Sequence, residues 1–217
     1  PFLAAKNALY PDAEEIAALE YHVDRFVWGG LQRTDQEQPY PYGVYGVPNW
    51  YVNRTSPFGW GSGGKGVEHI WRMYDYPHVT MLWLNLARIA RRTPEHLQQA
   101  DADLYLERAF RTAIAGFEYP YELLPWYEVY MWGTMNELVY LELVAELERA
   151  GRSVDADALR KHLDRKIKYF VYDDPYPFRS EYAFDDTGFE STHAFARFAL
   201  EQHPLRGGEN AWTGRND

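Results

Sequence analysis

The chain has 217 residues, is 46% hydrophobic and 17% aromatic, carries a formal net charge of −10 and contains no cysteine. That length holds one good-sized domain or two small ones, and the missing cysteine excludes disulfides and thiolate metal sites. The acidic balance without a basic run excludes nucleic acid and anionic membrane surfaces as partners, since both need concentrated Lys and Arg, and no stretch reaches the roughly 18 apolar residues of a membrane span.

Helical periodicity organises the chain. The first predicted helix covers about residues 12–28, with an acid-rich first turn and Gly29-Gly30 as its stop. After it comes "QPYPYGVYGVPNWYVNRTSPFGWGSGGKG", residues 38–66, whose Pro and Gly content forbids a helix. Its aromatics argue against plain disorder, and a loop of this length in a compact domain is usually functional. The second helix starts near Pro77, with Val79, Leu82, Trp83, Leu86, Ile89 and Ala90 on one stripe. Arg88, Arg91 and Arg92 suit its C-terminal end. The third covers about residues 101–117, with Leu106, Ala109, Phe110, Ala113 and Ile114 on one face. The fourth, about residues 134–150, is apolar over most of its circumference until Gly151 stops it. Ser153 is placed to cap the fifth, whose stripe is Leu159, Leu163, Ile167 and Phe170. The sixth runs from about Gly188 to Gln202, before Pro204. Period-2 runs are short and broken by proline, so no strand series competes.

An all-α protein follows. The fourth helix reads as buried all round, whereas the third and fifth carry single stripes. Alternation of buried and half-exposed helices is expected of two concentric layers, an α/α toroid of helical hairpins. Six helices make three hairpins, about half of a six-hairpin barrel. The sequence is therefore expected to be a single toroid domain over residues 1–217 that is one part of a longer chain. The remaining half of the same polypeptide, or a second fragment, is its expected partner.

Three stretches carry a resemblance: "YDYPHVTMLWLNLARIARR", "YELLPWYEVYMWGTMNELVYLELVAELERAG" and "SEYAFDDTGFESTHAFARFAL". They resemble bacterial proteins of the six-hairpin glycosidase-like superfamily, and within it a bacterial group known only as a domain of unknown function. The resemblance covers roughly residues 42–200. It implies the α/α toroid and a carbohydrate cleft at one mouth of the ring, because the superfamily consists mostly of glycoside hydrolases and polysaccharide lyases. A fold by itself does not give a reaction.

The residues supply candidates for that chemistry. In "RSEYAFDDTGFESTH", residues 179–193, Thr187 and Glu190 match the T-x-x-E capping box. Asp185 and Asp186 would sit at a positive helix N-terminus. That reading needs no catalysis, but it leaves Glu181, Tyr182 and His193 unexplained. Glu190 and His193 lie three apart and share a helix face. Glycoside hydrolysis needs one protonated and one ionised carboxyl across the scissile bond, and clustered acids raise one another's pKa. Glu181, Asp186, Glu190 and His193 are the catalytic candidates, with Tyr182 beside them in substrate binding.

A second group is "EHIWRMYDYPH", residues 68–78. Asp75 is read first as an N-cap and His78 as an ordinary helix residue. The rings of Trp71, Tyr74 and Tyr76 give the group a second reading as a sugar platform. The third is "YPYELLPWYEVYMWGTMNE", residues 119–137, where Trp126, Tyr127, Glu128, Tyr130 and Trp132 are many for a dry core. The expected substrate contacts are Trp50, Tyr74, Asp75, His78, Trp126, Glu128, Trp132 and Tyr182.

Metal and cofactor chemistry finds little support. Glu190 and His193 have the E-x-x-H spacing of helical di-metal sites, but no second copy exists. No H-E-x-x-H is present, and "GWGSGGKG" lacks the phosphate-loop pattern. Asn53-Arg54-Thr55 fits a glycosylation acceptor, a triplet frequent by chance. No metal and no cofactor are expected. The leading expectation is a glycoside hydrolase acting on a poly- or oligosaccharide. The alternatives are a polysaccharide lyase using Tyr182, His193, Tyr74 or His78, and a non-catalytic carbohydrate-binding or scaffold protein. A secreted or periplasmic location is expected, with the cytoplasm also open.

Overall fold

In the computed structural model, residues 1–46, 70, 72–123, 129–174, 178–180 and 184–202 are described. The protein is all-α, with no strand among these residues and only isolated bridges such as Gln32 with Val44. The chain divides into two compact units, Pro1–Trp126 and Tyr127–Asp217.

The first unit opens with α1 (Phe2–Leu9), which the hydrophobic pattern did not reveal, and α2 (Ala13–His22). Asp12 caps α2, its carboxylate accepting from the N–H groups of Glu14 and Glu15, both at 3.0 Å. The expected helix over residues 12–28 does not run straight. It widens at Val23–Val27 into a π-turn and stops at Gly29, whose φ of 77° needs glycine.

A short 3₁₀ turn, Met73–Asp75, leads into α3 (Tyr76–Arg92). Pro77 lies in its first turn, where no N–H is required. α4 (Ala102–Leu123) continues past the expected end at Phe117 and contains Pro120. α3 packs along α4, and α1 covers another side of α3. That explains a departure from the periodicity, which gave this helix a single stripe. Thr80, Leu84 and Ala87 are buried together with the stripe residues, of which Trp83 is fully enclosed. Each such large side chain contributes about 1.5–3 kcal/mol by leaving water. Gly116 lets the two helices close: a Cβ there would lie 2.7 Å from Cβ of Tyr76.

The second unit contains α5 (Leu138–Arg149), α6 (Ser153–Lys168) and α7 (Phe189–Gln202). α5 starts later than expected, because Asn136 takes a left-handed φ of 63° just before it. Gly151, at φ 73°, ends it as anticipated. Ser153 is the first residue of α6 rather than its cap, which is Arg152. α6 runs on into a π-turn, Tyr169–Asp173, and α7 follows a 3₁₀ turn, Asp186–Gly188.

Candidate functional site

At the entry to α3, local sequence sets the geometry. The 3₁₀ turn and Pro77 fix the backbone of Tyr76. Its ring is sealed under Gly116, and its hydroxyl accepts from the Val44 N–H at 3.0 Å. This anchor holds Asp75 on the N-terminal rim. Asp75 occupies the N-cap position but has helical φ and ψ of −88° and −16°, and its side chain makes no capping hydrogen bond. The capping reading of Asp75 therefore fails. A capping residue needs extended backbone to turn its oxygen back toward the next N–H groups.

The Asp75 carboxyl is half-buried, and burial pushes its pKa up, with His78 and Arg72 pulling it partly back. Arg72 lies over the Tyr74 ring at 4.8 Å. A carboxyl whose pKa is raised by burial, unused by the helix and flanked by a tyrosine, an arginine and a histidine, is a candidate proton donor.

In the second unit the stretch before α7 adopts a different capping arrangement from the sequence pattern. Asp185, not Thr187, is the cap: its carboxylate accepts from the Thr187 N–H at 3.1 Å. The Thr187 hydroxyl oxygen is buried without a hydrogen-bond partner among the described residues. Glu190 does not fold back on this turn. Its two oxygens accept from Asn136 N at 2.8 Å and Leu138 N at 3.3 Å, so it caps α5 from another helix. Asp186 and His193 are exposed, and His193 makes no hydrogen bond among the described residues.

Behind Glu190 lies a fully buried polar cluster that the sequence does not mark. Lys166 pairs with Glu137, their side chains 1% and 2% exposed. The other Glu137 oxygen accepts from Thr134 N at 3.0 Å and lies 2.5 Å from Ser191 Oγ. Ser191 Oγ also lies 2.8 Å from the Thr134 carbonyl oxygen, so its one proton is shared between two acceptors. Nearby, Tyr130 and Nδ1 of His162 are hydrogen-bonded at 2.8 Å, and Arg165 covers the Tyr130 ring at 3.8 Å. Burial and Arg165 push the His162 pKa down.

Of the expected site residues, Tyr74, Asp75 and His78 fall together in the first unit. Trp132, Asp186, Glu190 and His193 lie in the second, Trp132 half-buried. Trp50, Trp126, Glu128, Glu181 and Tyr182 lie outside the described residues. Among the described residues no helix is long and apolar enough to cross a membrane, and no cluster of three or more His, Asp or Glu could hold a metal.

These features define an all-helical protein with a half-buried, uncapping carboxyl at a helix entry. The chain belongs to the Family of unknown function (DUF5695), which matches residues 2–206. No curated protein and no solved structure matches it.

Proposed function

We propose that this protein is a carbohydrate-active enzyme, a glycoside hydrolase built from helical hairpins of the kind that form an α/α toroid. Its substrate is a poly- or oligosaccharide, its setting secreted or periplasmic, and the rest of the ring its partner. The observation that carries this reading is Asp75. Its carboxyl is raised in pKa by burial, free of capping duty and set beside Tyr74 and His78. General-acid cleavage of a glycosidic bond needs such a group to deliver its proton to the leaving oxygen. Tyr74 offers the sugar a flat ring.

The test is release of reducing ends from a panel of polysaccharides. Asp75→Asn should retain the fold and lose about 10²–10⁴-fold in turnover; full activity in that variant refutes the assignment. Amide replacement of Glu181, Asp186 and Glu190, one at a time, asks which further carboxyls the reaction uses. Arg72 over Tyr74 supports a second reading, a lyase in which Tyr74 removes a proton beside a uronate carboxylate neutralised by Arg72. Unsaturated products absorbing in the ultraviolet select the lyase; reducing ends without them select the hydrolase. Glycan binding without turnover selects a non-catalytic binder.

A further inference from the structure

Besides Asp75, the first unit holds a group whose features packing does not require. The Arg108 guanidinium, on α4, lies 4.0 Å from the Trp28 ring centroid and 5.0 Å from that of Trp83. The Tyr42 ring approaches Trp28 at 5.4 Å and 56°. Trp28, Tyr42 and Arg108 are all half-buried, so each keeps some exposure.

Arg108 has no hydrogen-bond acceptor and no ion-pair partner among the described residues, and its Nε is buried. Other arginines of the unit are engaged. Arg111 pairs with Glu107 at 2.7 Å, and Arg92 donates to the carbonyls of Ala8 and Leu9. The acids closest in charge to Arg108 are committed elsewhere, Asp24 beside Arg25 at 3.5 Å and Asp35 accepting from Gln36 at 3.0 Å. A partly desolvated guanidinium with open donors is costly unless something occupies them.

Tyr42 adds an independent observation. Its φ of 64° is left-handed, a strained conformation for a bulky residue and a mark of functional positions. A buried amide fixes it there. Gln32 Nε2 donates to the Tyr42 carbonyl at 2.8 Å and to Thr112 Oγ1 at 2.6 Å, while Gln32 Oε1 accepts from Trp83 Nε1 at 2.8 Å. A glycine would supply the same turn and the same carbonyl without strain. What tyrosine adds at this position is its ring.

We propose that Trp28, Tyr42 and Arg108 form a binding site for a carboxylate carried on a ring. The guanidinium takes the carboxylate in a forked, charge-assisted contact, and the exposed parts of the two aromatic rings take the ligand's ring. The ring is that of an acidic sugar or an aryl acid. The proposal does not use Asp75 and does not depend on the hydrolase reading.

Titration of the full chain with D-glucuronate and with benzoate, followed by tryptophan fluorescence and NMR, tests this. D-Glucose and acetate are the controls. At least one ring carboxylate should bind about tenfold more tightly than both controls, and Arg108→Gln should remove that advantage. Glucuronate alone identifies an acidic saccharide, and benzoate alone an aryl acid. Tyr42→Gly relieves the strained φ, so it should melt no lower than the parent while its affinity falls. It keeps the test decisive if Arg108→Gln does not fold. Neither probe binding, a control binding equally well, or unchanged affinity in Tyr42→Gly overturns the proposal.

Discussion

Replacing Lys166 with methionine probes the buried cluster of the second unit. The change keeps an unbranched chain of similar length but removes the ammonium from Glu137, which is 2% exposed on its side chain. Thr134 N and Ser191 Oγ remain on one carboxylate oxygen, while the other faces a thioether. Losing one partner of a buried ion pair costs about 3–5 kcal/mol. Neutralising the orphaned acid is no cheaper, because protonating an ordinary glutamate at pH 7 costs about 3–4 kcal/mol. Both routes predict a loss of about 3 kcal/mol or more, a large share of the 5–15 kcal/mol typical of a domain. Urea denaturation of Lys166→Met and Glu137→Gln singly and together measures it. The double variant should be less destabilised than Lys166→Met, since a glutamine oxygen still accepts from Thr134 N and no charge is left alone. The pH dependence adds a sign. Burial outweighs Glu137 and lowers the Lys166 pKa below its ordinary 10.5. The unfolded chain therefore binds the proton more tightly. This lysine's contribution to stability should rise with pH between its lowered folded pKa and the ordinary value. A loss under about 1 kcal/mol in Lys166→Met, or a double variant worse than that single one, refutes the reasoning.

The Asp75 pKa is raised in the folded state, so its ionisation costs stability as pH rises past the unfolded value. Asp75→Asn should therefore melt slightly higher than the parent at pH 7 and equally at pH 3, measured by circular dichroism. If the protein hydrolyses glycans, activity should also fall as pH rises through that raised pKa. Glu190→Ala leaves the Asn136 and Leu138 N–H groups without their carboxylate and should cost about 1–2 kcal/mol by urea denaturation. Gly116→Ala drives a methyl against Tyr76 and should cost about 1–3 kcal/mol, with loss of the α3–α4 contact visible as a lower melting temperature.

Sequence alone determined most of the helices of this protein. Periodic apolar residues placed α3 and α4, and Gly29, Pro77 and Gly151 marked boundaries, because caps and turns depend on the few residues around them. Its errors were also local in origin. α1 carries too weak a stripe to be read alone, and α3 showed one stripe because its sequence does not show what covers its other side. Only the tertiary structure decided where the charged groups go. Glu190 matched a capping box three residues from Thr187, yet its oxygens meet N–H groups at Asn136 and Leu138, at the start of another helix. Asp75 looked like a cap until its backbone proved helical. Lys166 was not part of the apolar stripe read for its helix, and its acid lies 29 residues away. Apolar periodicity repeats within every turn and is legible in any window, whereas a carboxylate's partner is whichever distant donor the packed helices bring within about 3 Å.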